Sequence, residues 1–100
     1  MLDRVTLPDF QDRVGATFRV ETSPEESQDL TLIEAKALQV RSGPGRTEPF
    51  SLIFRGPMSR RLEQKIHRLA QAEMGTLDLF LVPLGTEGDP EGTHYQAIFN

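Results

Sequence analysis

Apolar and polar positions alternate with a period of two over most of this chain, the spacing of a β-strand that turns one face to a core. Phe18 and Val20 share one face, and Thr17, Arg19 and Glu21 share the other. After the polar turn Ser23-Pro24-Glu25-Glu26-Ser27, Leu30 and Leu32 alternate with Asp29 and Thr31. Leu38 and Val40 resume the rhythm beyond Glu34-Ala35-Lys36, so a bulge near Glu34 or Lys36 is expected there. Ser42-Gly43-Pro44-Gly45 is the strongest turn signal, and Phe50, Leu52 and Phe54 follow it on one face of a third strand stopped by Gly56-Pro57. Leu77, Leu79 and Leu81 point one way along a further strand. Its second face carries Phe80 and Val82, as expected for a central or doubly covered strand, and Pro83 should end its regular pairing. Tyr95, Ala97 and Phe99 define a last strand after the Gly85 to Gly92 turn.

Two segments depart from this period. Thr6-Leu7-Pro8-Asp9 reads as a helix start, with a hydroxyl at the cap, proline in the first turn and an acid that suits the helix dipole. Leu7, Phe10 and Val14 then make a stripe on a helix of barely two turns ending at Gly15, too short to stand alone, so Phe10 must pack elsewhere as a plug. Between Met58 and Gly75, Leu62, Ile66, Leu69, Ala70 and Met74 fit a helical stripe, while His67 and Leu69 also fit a period of two. Periodicity there slightly favours a helix.

The expected architecture is therefore mainly β: a small antiparallel barrel or sandwich of 5–6 strands with a short N-terminal helix. A chain of 100 residues with 37% hydrophobic and 26% charged residues is read as one folded domain spanning 1–100. A formal net charge of −4 provides no basic field for phosphates, so nucleic acid is not an expected partner. Cysteine is absent, which excludes disulfides and thiolate chemistry. The longest apolar run, Leu79-Phe80-Leu81-Val82, is far below a helical membrane span, so membrane insertion is not expected, and the expected location is the cytosol or a virion-like or cell-surface assembly that carries the chain.

Residues suited to catalysis are present without the spacing that catalysis needs. His67 and His94 fall in no metal-ligand pattern, and convergence with Glu63 or Glu91 would be required to make either a ligand or an acid/base. No nucleophile elbow surrounds Ser23, Ser27, Ser42, Ser51 or Ser59. Pro44 removes a backbone donor from the one glycine-rich loop, and Glu87, Asp89 and Glu91 match no calcium-loop spacing. No catalytic, cofactor or metal site is assigned, and the chain is not expected to be an enzyme. The feature that stands out is a cationic group, Arg55, Arg60, Arg61, Lys65 and Arg68, in an otherwise acidic chain; it suits directional pairing with an acidic partner surface, with Phe50 and Phe80 as apolar contacts if they are not core.

Three stretches carry a resemblance. They are Thr6-Leu7-Pro8-Asp9-Phe10 with Val14-Gly15-Ala16-Thr17-Phe18, Glu48 to Pro57, and Leu77 to Gly85 with Tyr95 to Asn100. Over most of its length the chain resembles an uncharacterised bacterial family of small β domains, often encoded beside phage-tail-collar-type or microcystin-dependent-type proteins. The resemblance implies a part in a tail-like or surface fibre assembly. It also implies a strand and a tight glycine-ended turn over the stretch from His67 to Gly75, usually with a proline that Gln71-Ala72-Glu73-Met74 lacks. The expected function is a non-enzymatic structural or interaction module that docks a partner protein, or its own copy, through exposed strand edges and the cationic group. The alternatives are a small-molecule-binding barrel and an enzyme accessory domain, the flavin-binding small barrel being the obvious case.

Overall fold

The computed structural model describes residues 6–23, 25–38, 49–57, 61–85 and 92–99. A short helix, α1 (Leu7–Gln11), precedes six strands: β1 (Thr17–Ser23), β2 (Glu26–Ala37), β3 (Phe50–Pro57), β4 (Lys65–Gln71), β5 (Gly75–Gly85) and β6 (Gly92–Phe99). They close into an antiparallel barrel in the order β1-β2-β3-β6-β5-β4. Closure leaves no sheet edge along most of the wall, so the exposed edges expected as docking elements are largely taken up by ladders, the short two-pair β1–β4 seam being the weakest of them. The Ser42–Gly45 turn and the Glu87, Asp89 and Glu91 loop lie outside the described residues, as does Arg60.

The period-two pattern predicts the interior well. Phe18, Val20, Leu30, Leu32, Phe50, Leu52, Phe54, Leu77, Leu79, Leu81, Tyr95 and Ala97 are all buried in one cluster. The bulge in β2 falls between Leu32 and Glu34, one position before the first candidate, and swings Ile33 outward so that Ala35 returns to the inner face opposite Leu52. Gly56 occupies an inward position because a β-carbon there would lie 2.5 Å from Leu30 Cδ2. The regular pairing of β5 ends at Pro83, as expected: Pro83 still pairs with Tyr95, the register shifts between Pro83 and Gly85, and the strand runs on to Gly85, which has φ +95°.

Of the two readings left open within 58–75, the strand holds for residues 65–71, which form β4 against the slight helical preference of the periodicity and as the resemblance implied. Their partner strand decides this, because Leu69 faces Leu77 and His67 faces Leu79 across the ladder, both inward. The turn lacks proline but is held by Gln71, whose Oε1 accepts the Glu73 and Met74 amides, each at 2.8 Å, before Gly75 turns the chain at φ +79°.

Two plugs seal the barrel. At one mouth, Phe10 of α1 is fully buried, with ring centroids 6.5 Å from Phe18, 5.8 Å from Phe50 and 5.4 Å from Phe99. Helix entry is fixed by Asp9, whose Oδ2 accepts the Thr6 amide at 2.8 Å and the Thr6 hydroxyl at 3.0 Å. The helix ends earlier than its apolar spacing suggests, and Val14 is 48% exposed. The cause is that Gly15 and Ala16 dock on β2 instead, with the Gly15 amide donating to the Leu32 carbonyl at 2.7 Å and the Leu32 amide to the Ala16 carbonyl at 3.1 Å. At the other mouth, residues 61–64 cross the opening with Leu62 buried.

Phe10→Ala should cost about 3–5 kcal/mol of unfolding free energy, because it empties a buried aromatic site that also anchors the helix; urea unfolding followed by circular dichroism measures this. The Thr6 amide, and then its hydroxyl, hold the Asp9 carboxyl below its ordinary value of 3.8, with Arg13 adding to the effect. A depressed native pKa stabilises the fold above the unfolded value and loses that contribution as pH falls through the native one. Asp9→Asn should accordingly be less stable than the native chain at neutral pH, and the difference should shrink as urea titrations are carried below 3.8.

Candidate functional site

Two surfaces depart from the plain polar exterior of a small barrel: the groove at the mouth crossed by residues 61–64, and the outer wall of β4, β5 and β6. The groove opens where β1 and β4 diverge. Their ladder holds only two register pairs, Arg19↔Ala70 and Val20↔Leu69, whereas β4 and β5 share seven from Lys65↔Leu81 to Gln71↔Gly75. The opening has a volume of about 490 Å³, with Glu21, Thr22 and Gln28 on one side, Arg61, Glu63 and Lys65 on the other, and His67 and Leu62 in its walls.

Two buried polar contacts fasten the crossing segment. The Leu62 amide donates to the Tyr95 hydroxyl at 2.9 Å, and His67 Nε2 donates to the Glu63 carbonyl at 2.7 Å, which places the neutral ring's proton on Nε2. His67 is thus a buried strand residue with a structural partner, and His94 lies half-buried on β6. The two do not converge: His67 faces inward on β4, whereas His94 pairs with Arg55 on β3. Among the described residues no group of three His, Asp or Glu side chains gathers to hold a metal ion. Ser51 is buried, and its hydroxyl accepts from Gln96 Nε2 at 3.2 Å.

The cationic group is divided by the fold. Arg61 and Lys65 line the same groove, with Lys65 Nζ 3.7 Å from Glu63. Arg68 points outward on β4, its Nε 3.3 Å from Asp78 Oδ1 across the ladder on β5. Arg55 is half-buried on the outer face of β3, separated from β4 by β6 and β5. Exposed pairs of this kind contribute about 0–1 kcal/mol each, so they shape the surface more than they hold the fold.

The wall itself was only partly legible. Phe50 is buried, as a core residue should be, but Phe80 is 50% exposed. It stands directly opposite Ile66, 65% exposed, in the β4–β5 register. Ile98 on β6 and Leu84 on β5 are exposed to a similar degree, and Val82 and Ile53 on the same outer face are half-buried. The β1–β2 wall is more polar: its outward ladder pairs are Thr17↔Thr31, Arg19↔Asp29 and Glu21↔Ser27, with Ile33 at the bulge as its exposed hydrophobic residue. The signal in the sequence was the apolar second face of β5, which marks a strand covered on both sides; β4 and α1 do not cover it, because β4 lies beside β5 and α1 plugs a mouth.

Together these features define a small closed β-barrel domain, corked at both mouths, with a polar wall and an apolar wall. The chain belongs to DUF6916, a family described as a domain of unknown function, whose model matches residues 5–99. No curated protein and no solved structure matches it.

Tyr95→Phe tests how the groove is built. The change leaves the Leu62 amide unpaired in a buried place, so stability should fall by about 1–3 kcal/mol. Amide exchange by NMR should show the Leu62 signal losing protection while that of Leu79 keeps it.

Proposed function

We propose that the chain is a non-enzymatic binding module that docks a partner protein on the outer wall of β4, β5 and β6. The observation that carries this reading is the exposed Ile66 and Phe80 pair, continued by Leu84 and Ile98, on a barrel whose opposite wall is polar. Aliphatic and aromatic groups massed on one face gain about 25 cal/mol for each Å² that a partner removes from water. Arg68 beside them, and Arg61 and Lys65 at the adjoining mouth, supply the polar rim that orients an encounter. On the resemblance to a family encoded near tail-collar-type proteins, we take the partner to be a component of a tail-like or surface fibre assembly.

The interior supports this reading over a barrel that holds a ligand. Among the described residues, fifteen buried hydrophobic side chains occupy it, from Phe10 at one mouth to Leu62 at the other. The groove at the mouth has the volume of a ligand site, but it is wide and lined by Glu21, Arg61, Glu63 and Lys65, where an enclosed apolar pocket would be expected. No helix among the described residues is long and apolar enough to cross a membrane.

A photo-crosslinking amino acid placed at Ile98 should capture a fibre-type partner in the native cell, and the same group at Thr17 on the polar wall should not. Leu84→Glu and Ile98→Glu should each weaken that binding by tenfold or more, with little change in melting temperature because both positions face solvent. Equal capture from the two walls, or a purified protein that carries a coloured cofactor, would overturn the reading.

A further inference from the structure

We propose that the β4–β5 part of this wall pairs with the same part of a second copy, across a two-fold axis that lies in the interface and runs along the strands, midway between β4 and β5. The proposal rests on reading the outer wall as a docking face and divides that wall, with Ile66 and Phe80 taken by the second copy and Leu84 and Ile98 left for the fibre component.

Closure of the barrel is the first constraint. With most of the wall laddered, a second copy cannot add a strand there, so association has to be face to face. The second is symmetry. An axis parallel to the strands lays β4 of one copy over β5 of the other, so each outward residue on β4 meets the residue that is its own ladder partner, taken from the second copy.

The outward ladder pairs suit that exchange. Ile66 stands opposite Phe80, Arg68 opposite Asp78, and Ala70 opposite Thr76. Across the axis, Ile66 therefore meets the second copy's Phe80, Arg68 meets its Asp78, and the small Ala70 meets the small Thr76. Each contact is made twice, and all three rows match in chemistry: apolar on apolar, cation on anion, small on small. All six residues are exposed. The same exchange on the β1–β2 wall would lay Thr17 on Thr31, Arg19 on Asp29 and Glu21 on Ser27, with no apolar row among them, and a head-to-tail arrangement would lay Ile66 and Phe80 on Arg19, Asp29 and Glu21 and leave those charges desolvated without partners.

Size-exclusion chromatography with multi-angle light scattering on the purified full chain tests the proposal. The native chain should run at twice its 11.2 kDa mass and dissociate on dilution. Phe80→Glu should run as a monomer. Arg68→Glu and Asp78→Arg should each weaken the dimer by tenfold or more, because each puts like charges across the axis. An equimolar mixture of those two variants should recover the dimer, since one chain then carries two acids and the other two cations on the facing rows. A change that only disturbed folding within one copy would not be rescued by mixing. A native chain that is monomeric at all concentrations would overturn the proposal, as would a dimer indifferent to Phe80→Glu or variants that stay monomeric when mixed. A monomer that still crosslinks a fibre component from Ile98 would end this inference alone. A dimer whose Ile98 position captures no other protein would end the fibre-docking reading alone.

Discussion

Burial of one side of every strand around a single apolar interior is the constraint from which the rest of this structure follows. Phe18, Leu30, Leu52, Phe54, Leu69, Leu79 and Ala97 come from six different strands and meet in one cluster, so no strand can slip by a residue without turning its whole inner face to water. Closure then satisfies the backbone groups that an open sheet would expose. It also creates two open mouths, and the elements outside the ladder exist to seal them.

The seals differ in kind. At one mouth the seal is aromatic: Phe10 sits against Phe18, Phe50 and Phe99, and Phe50 and Phe99 stack with centroids 4.6 Å apart. At the other it is a crossing segment that leans on Leu62 and on two buried polar contacts, made through Tyr95 and His67. A histidine that resembles a catalytic candidate in the sequence is here committed to holding a carbonyl. The weakest part of the wall, the two-pair ladder between β1 and β4, opens beside this polar seal and makes the groove.

With the interior filled and the histidines apart, the distinctive chemistry of the molecule lies on its outside. The barrel is uneven around its circumference, mostly polar along β1–β2 and richer in exposed apolar side chains along β4–β6. On the docking we propose, this asymmetry serves association, because a covering surface removes Ile66 and Phe80 from water.

Alternation of side chains alone determined the mainly β class and the inward residues of β1, β3, β5 and β6, because a period of two directly reports which residues share a face, and the plug role of Phe10 followed from a helical stripe too short to stand alone. Three matters were decided only in three dimensions. Periodicity left residues 65–71 between helix and strand, and it was pairing with β5, with the Gln71 side chain capping the turn, that decided for the strand the resemblance implied. Closure depends on how strands 1 and 4 meet, far apart in sequence, and it removed the edges on which docking was first expected. The outward face of Phe80 and the division of the cationic group follow from strand order: an apolar residue on the second face of a strand reads the same whether a neighbouring layer covers it or solvent does, and only packing tells the two apart.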